Sequence, residues 1–399
     1  MPHVATLDAG RRVVIIGASL AGATAAATLR KDGFDGSVTL VGKEPHEPYE
    51  RPPLSKAYLR GEATFDDLRV RPAGFWESRG VVLQLGAAAR SIDIERRTVH
   101  LSTAEELPYD RLLIATGCRN RPVYLPGAEL KGVHTIRTID DSDGLRVDLR
   151  PGARVVVGGM SFIGSEVAAS LRQLDCEVTA LVSGAFPLVK VIGEPLGRAI
   201  ARIHESHGVR LVPDDRVVAV AGDGRAEAVL SEKGERLACD VVVLALGVEP
   251  ETDVLEGTGI EVDRGVVVDE RCRTNVDGVF ACGDVARFFH PAFERRLRVE
   301  HWQNARRQGR AAARSMLGSE VGFDDVPWFW SEQFDHEVQY AGSCEHPDEV
   351  DVDNDGMVWS CTSGGRLEAV VALDRPAAVR DAIPIIAGRR SIDPPIADR

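Results

Sequence analysis

Four consecutive apolar positions, Val13-Val14-Ile15-Ile16, close on Gly17, and an alanine-rich stretch follows over residues 21–29. An unbroken β-branched run suits a strand buried on both faces, and alanine and leucine suit a helix, so the pattern predicts strand, tight turn, helix. A second run, Ser37-Val38-Thr39-Leu40-Val41-Gly42, arrives where the next parallel strand of a βαβ unit belongs. The same grammar recurs in Arg154-Val155-Val156-Val157-Gly158-Gly159, a helical stretch over residues 166–174, and Glu177-Val178-Thr179-Ala180-Leu181-Val182. Gly17 and Gly159 stand 142 residues apart, which reads as duplication of one folding unit.

Residues 110–117 and 240–247 also match: an aspartate, an apolar strand and a closing glycine, each suited to ending one copy. Shorter strand signals at Val81-Val82-Leu83, Thr98-Val99-His100-Leu101 and Val266-Val267-Val268 are broken by glycine and charge, and read as small inserted antiparallel sheets. Beyond Phe323-Asp324-Asp325-Val326-Pro327 the chain turns aromatic-rich and then strand-like, without another glycine fingerprint. The fold class expected is α/β, with two Rossmann-like nucleotide-binding domains and a small C-terminal α+β domain.

The first turn reads Gly17-Ala18-Ser19-Leu20-Ala21-Gly22 and the second Gly159-Met160-Ser161-Phe162-Ile163-Gly164. Both are G-x-G-x-x-G patterns with serine at the middle glycine, where a pyrophosphate approaches backbone N–H groups at a helix N-terminus. One such match is weak; two in matched βαβ contexts are strong. At the end of the first unit's second strand, Glu44 suits a ribose and Lys43 a phosphate, and a pair of solvated loop charges is an equal reading. The second unit has Val182-Ser183 there with no acid, so NADH and NADPH stay equally open, and Lys190 reads as solvated.

Length and composition bound the rest. A chain of 399 residues with 44% apolar and 27% charged content is globular and holds two or three domains. Residues 1–12 lack a secretory pattern and no apolar run approaches membrane-spanning length, so the cytoplasm is the expected address. A net charge of −13 argues against nucleic acid and anionic membranes as partners. Seven scattered cysteines with no C-x-x-C pair read as reduced thiols, with no cysteine-based metal site.

Two prolines in Pro48-Tyr49-Glu50-Arg51-Pro52-Pro53-Leu54-Ser55-Lys56 fix the spacing of an arginine and a lysine. With the two glycine turns, Ala115-Thr116-Gly117, Gly247-Val248-Glu249-Pro250, residues 274–284, residues 299–302 and Pro327-Trp328-Phe329-Trp330-Ser331, this motif completes a pattern spread over nearly the whole chain. The chain resembles the FAD-dependent NAD(P)H:ferredoxin reductases of bacterial oxygenase systems.

That resemblance implies a glutathione-reductase-like arrangement: an FAD domain at 8–118 and 248–323, an NAD(P) domain at 119–247, and a C-terminal domain at 324–399. It implies FAD contacts from Gly17, Ser19, Leu20, Ala21, Gly22, Lys43, Glu44, Arg51, Lys56, Ala89, Ala115, Gly117, Arg137, Gly283, Asp284, Glu300 and Trp302, with a helix after Asp284 pointing its N-terminus at the flavin. Gly159, Ser161, Phe162, Ile163, Gly164, Ser183 and Gly247 would serve the nicotinamide nucleotide. Glu166 would pair with Lys56 near flavin N5, the two coming from different nucleotide units, so that a buried ammonium stabilises charge on the reduced ring. Trp330 would lie between flavin and partner.

No cysteine occurs between Gly22 and Cys118, so electrons are expected to leave the flavin without a thiol relay. Cys282, beside the flavin motif, reads as a packing residue. The chain carries no iron–sulfur ligands, and the acceptor implied is a separate [2Fe–2S] ferredoxin serving a cytochrome P450 or Rieske oxygenase. Two alternatives stand beside this: an NADH oxidase or rubredoxin reductase on the same scaffold, and an NAD-responsive flavoprotein resembling apoptosis-inducing factor. Residues 294–314 hold seven arginines against two glutamates, a net +5 that leaves the rest of the chain at −18. Arg295, Arg298, Arg306, Arg307 and Arg310 are the docking residues expected for an acidic ferredoxin.

Overall fold

The computed structural model describes residues 11–345 and 348–388, so the expected domain ends at 8–10 and 389–399 lie outside the described residues. The chain divides into two compact units, one of Met1–Glu50, Phe65–Arg119 and Glu249–Trp328, the other of Arg51–Thr64, Asn120–Val248 and Phe329–Arg399.

The first unit is built on a five-stranded parallel sheet. Arg12–Ile16 lies between Ser37–Gly42 and Arg111–Ile114, with Val81–Leu85 and Val279–Ala281 at the two edges. Ile15, Leu40, Leu113 and Leu112 are fully buried, as expected of parallel strands covered on both faces. The glycine helix Leu20–Lys31 packs against a second helix, Trp302–Met316. Their approach is close enough that a Cβ on Gly309 would lie 2.4 Å from the Ala21 carbonyl oxygen.

The second unit repeats this plan. Arg154–Gly158 lies between Glu177–Val182 and Val241–Leu244, with Arg210–Pro213 and Val133–His134 outside them. The copies match down to one ion pair. Arg12 donates its backbone N–H to Asp110 at 2.7 Å and Arg154 donates its own to Asp240 at 2.9 Å, each guanidinium returning to the same carboxylate. Arg154 holds the Asp240 carboxyl down at about 2. A three-stranded antiparallel sheet accompanies each copy, Ala89–Asp93 with Thr98–Leu101 and Glu106–Pro108 in the first, Val217–Ala221 with Ala228–Ser231 and Arg236–Ala238 in the second.

The second unit also holds the C-terminal five-stranded sheet, ordered Trp328–Gln333, His336–Gly342, Arg366–Leu373, Val358–Ser363, Glu349–Val352, and covered by the helix Pro376–Gly388. Leu188, Ile192, Leu196 and Ile200 of the helical segment 188–206 share a core with Val338, Val371 and Leu373 of that sheet. The same segment buries His204 completely, its Nε2 3.0 Å from Gln333 Oε1.

Several expectations change. Val81-Val82-Leu83 forms an edge strand of the main parallel sheet, not an insertion, because it pairs in register with residues 38–40. Val266–Val268 pairs parallel with Ala286–His290, so its small sheet is mixed rather than antiparallel. Gly283–Val285 is a single 3-10 turn running straight into that strand, so no helix follows Asp284 directly; the long helix begins only at Trp302. Cys344 and Cys361 are disulfide-bonded, with Cα atoms 6.7 Å apart, correcting the reading of all seven cysteines as thiols. They lie 17 residues apart, one in a loop and one on a strand, a juxtaposition set by the sheet and invisible as spacing.

Burial holds the His204 imidazole down at about 4 in the folded protein, against about 6.5 in the unfolded chain. The unfolded state therefore takes up a proton first. This contribution to stability is complete above about pH 6.5, declines as pH falls towards 4, and amounts to roughly 3 kcal/mol at most. Denaturant titrations at pH 7.5 and 4.5 are expected to show His204→Gln gaining on the parent chain as pH falls; a constant difference between the two proteins refutes it.

Candidate active site

In the first unit the glycine turn is shaped by contact with the neighbouring strand end. Gly17 adopts φ +116°, and a Cβ there would meet the Ala115 carbonyl oxygen at 2.1 Å; one on Gly22 would meet the Gly17 oxygen at 2.0 Å. Ser19 caps the following helix in extended conformation without a side-chain cap bond, leaving the first-turn N–H groups to a ligand. Leu20 and Ala21 are buried, so they offer backbone rather than side chains. Gly283 lies against this helix, where its Cβ would be 2.9 Å from that of Ala21. The turn 17–22, Ala115 and Gly283 thus converge at the carboxyl ends of the parallel strands, the usual ligand position in such sheets.

Around them, Glu44 accepts a hydrogen bond from Tyr49 and Lys43 is exposed. Glu300 is ion-paired with Arg298 at 2.5 Å, and Arg298 also donates to the Asp284 carbonyl at 3.3 Å. Trp302 is half-buried with the Arg306 guanidinium 5.2 Å from its ring. Burial pushes the nearby Glu50 carboxyl up, against the opposing pull of Arg306 and the Trp302 side chain. Gly117 takes φ +71°, and Ala89 opens a strand of the small sheet.

The second unit's turn has the same construction: a Cβ on Gly164 would lie 1.9 Å from the Gly159 oxygen, and Ser161 makes no side-chain cap bond. A cleft open to solvent is lined by Ser161, Ile163, Leu246, Gly247, Arg51 and Arg137. Arg51 donates to the Arg137 carbonyl. Ser183 is exposed at the end of Glu177–Val182. The Phe162 ring packs edge-on against Phe329 at 4.8 Å in the apolar core with the C-terminal sheet, so at the start of its helix this residue offers backbone rather than side chain.

Lys56 and Glu166 meet as predicted, Nζ to Oε1 at 3.3 Å, with both residues buried. Because residues 51–64 group with the second unit, the pair is internal to that unit instead of joining two nucleotide units. Sequence reading missed two partners: Ser55 Oγ donates to Glu166 Oε2 at 2.5 Å and Ser331 Oγ donates to Oε1 at 2.8 Å. Ser331 and Gln333 alternate inward on a strand whose other positions are apolar or exposed, and inward polar residues at that period were the available signal. Trp330, their neighbour, donates to Glu332 at 3.1 Å.

Among the described residues the five free cysteines, 118, 176, 239, 272 and 282, are all buried. Burial pushes the Cys272 and Cys282 thiols well above their ordinary value and Cys239 up to about 11. Those three are poorly suited to exchange, since the thiolate is the reactive form.

Residues 11–309 match the pyridine nucleotide-disulphide oxidoreductase family, and 328–398 match the reductase C-terminal family. The chain belongs to the pyridine nucleotide-disulphide oxidoreductases. It is 37% identical to rhodocoxin reductase from Rhodococcus erythropolis, over 91% of this chain and 86% of that protein. It is 36% identical to the ferredoxin–NAD(+) reductase subunit of a benzene 1,2-dioxygenase system from Pseudomonas putida, over 91% and 89%. Its structure superposes on the crystal structure of a covalent putidaredoxin reductase–putidaredoxin complex with TM-score 0.93 and 32% identity, over 97% of this chain and 95% of that one. FAD and NAD(P)H are the cofactors of this family member, and the tight glycine cradles with open helix N-termini fit their pyrophosphates. No helix among the described residues is long and apolar enough to cross a membrane.

Replacing Glu166 by alanine leaves the buried Lys56 ammonium without its main counter-charge, and is expected to cost roughly 3–5 kcal/mol in denaturant unfolding. A loss below about 1 kcal/mol would mean that water reaches the pair.

Proposed function

We propose that this chain is an NAD(P)H-dependent reductase that passes electrons through FAD, one at a time, to a [2Fe–2S] ferredoxin of an oxygenase system. One observation carries the reading: every free cysteine among the described residues is buried, Cys118 and Cys282 beside Gly117 and Gly283 included, so no exposed thiol stands ready to take electrons from a bound flavin. The relatives named above, each called a ferredoxin or redoxin reductase over nearly its whole length, support the same acceptor. When bound, the flavin accepts hydride from the nicotinamide and releases the two electrons singly.

The chain's own residues bind and tune. The turn from Gly17 to Gly22 holds the flavin nucleotide, with Ala115, Gly117, Gly283, Asp284 and Trp302 beside it. The turn from Gly159 to Gly164, with Ser183 and Gly247, holds the nicotinamide nucleotide. Lys56 is a buried ammonium fixed by Glu166, and a fixed positive charge of this kind would favour a reduced flavin ring. Arg51 and Arg137 offer charge to phosphate.

The docking surface is narrower than the arginine count implies. Arg298, Arg307 and Arg314 are paired with Glu300, Asp325 and Asp32, and Arg296 donates to the Val268 carbonyl. Arg306 and Arg310 share the exposed face of the helix Trp302–Met316 and are the better candidates for an acidic partner.

The purified protein is expected to be yellow and to reduce an acidic [2Fe–2S] ferredoxin much faster than oxygen; faster turnover with oxygen alone refutes the reading. Arg310→Glu is expected to raise the KM for ferredoxin several-fold and flatten its salt dependence, leaving flavin reduction by NADH unchanged. An unaltered KM would place docking elsewhere.

A further inference from the structure

Five side chains of the second unit form one buried hydrogen-bonded line. Lys56 Nζ lies 3.3 Å from Glu166 Oε1, Ser331 Oγ is 2.8 Å from the same oxygen, Gln333 Nε2 is 3.4 Å from Ser331 Oγ, and His204 Nε2 is 3.0 Å from Gln333 Oε1. Their exposures run from 9% at Lys56 to 0% at His204. They come from four separate segments: the turn after Pro52–Ser55, the helix Phe162–Gln173, the strand Trp328–Gln333 and the helix Val189–Ser206.

Donor and acceptor chemistry gives this line a direction. An amide oxygen only accepts, so the contact with Gln333 Oε1 requires a proton on His204 Nε2. The Gln333 nitrogen only donates, so Ser331 Oγ accepts from it and turns its own proton to Glu166. Every bond then points at the carboxylate. Turning the amide over would draw the Ser331 proton toward Gln333 and leave the hydroxyl lone pairs facing the Glu166 oxygen, acceptor against acceptor. His204 Nδ1 is buried with no hydrogen-bond partner among the described residues, and the ring lies edge-to-face with Phe334, centroids 5.3 Å apart. Only the neutral Nε2–H tautomer matches both nitrogens to their surroundings. The depressed value of about 4 agrees.

We propose that His204 is a positioning residue for the Lys56–Glu166 pair, its Nε2–H fixing the Gln333 amide and thereby turning the Ser331 hydroxyl onto the carboxylate. The inference rests on the reading of Lys56 and Glu166 as residues that tune the flavin. A carboxylate stabilised by Ser55 and Ser331 stays in place to hold the ammonium, and a shifted carboxylate weakens the field of that ammonium at the ring.

Nitrogen-15 spectra of histidine-labelled holoprotein are expected to show His204 as the Nε2–H tautomer at neutral pH. In stopped-flow reduction of the bound FAD by NADH, His204→Leu and Ser331→Ala are each expected to slow the reaction about tenfold, the worth of one charge-assisted hydrogen bond. The flavin midpoint potential should fall in both. His204→Gln carries an amide nitrogen to the position of Nε2 and should restore rate and potential, with melting temperatures separating these effects from loss of fold. A proton on Nδ1 instead of Nε2 overturns the inference, as do equal potentials in the parent and both His204 variants. A chain that retains no FAD, or whose FAD NADH does not reduce, overturns the functional reading instead, and the tautomer still decides the hydrogen-bonded line.

Discussion

A side chain at position 17 would place its Cβ 2.1 Å from the Ala115 carbonyl oxygen, well inside van der Waals contact, and Gly159 faces the Ala245 oxygen at 2.7 Å in the same way. Everything else in the two sheets follows from this close approach. Where strand meets helix the backbone must turn sharply beside its neighbour strand, and only glycine supplies the positive φ and the space. The reward is a helix start whose N–H groups face outward, unclaimed by the capping serines. The serine that replaces the middle glycine in both turns fits because the crowding falls on the first and last positions of the motif.

Duplication explains why so much of the second unit can be read from the first. Each copy reuses the strand pairing, the antiparallel insert and the arginine that reaches from the first strand to the aspartate preceding a strand paired beside it, Arg12 to Asp110 and Arg154 to Asp240. The pairs sit at the exposed amino ends of the strands and add little net energy. What they fix is register between strands about 90 residues apart in sequence. The C-terminal sheet has no counterpart in the first unit, and it covers the apolar face of the helical segment 188–206.

Local chemistry was legible in the sequence and long-range pairing was not. The glycine turns and both βαβ units could be read because their signal lies within thirty residues. Val81-Val82-Leu83 showed as a strand, yet its partner was misread, since Val82 is 55% exposed at a sheet edge and resembles a solvated insert. Val266–Val268 is buried and differs for another reason, parallel pairing leaving no turn signature between partners. The Lys56–Glu166 pair came through family resemblance, whereas Ser331 reaches Glu166 across 165 residues and leaves only the inward alternation of Ser331 and Gln333 as a trace. The Phe162 ring goes to the core beside the C-terminal sheet, a long-range contact that its motif position does not show.

The polar line from Lys56 to His204 is a poor way to gain stability. Burying a charged pair costs desolvation that its mutual attraction only partly returns, and well-packed apolar residues of similar volume would hold the same helices and strand at least as firmly. The surrounding core, with Leu188, Ile192, Leu196 and Ile200 against Val338 and Val371, shows that this region packs apolar side chains readily. On the proposed reading, a buried ammonium, a carboxylate with three donors and an imidazole kept neutral serve through their charge and direction. An isolated Lys56–Glu166 pair would suffice to cancel charge. The added hydroxyls of Ser55 and Ser331, and the amide behind them, are needed only where the position of that ammonium has to be held.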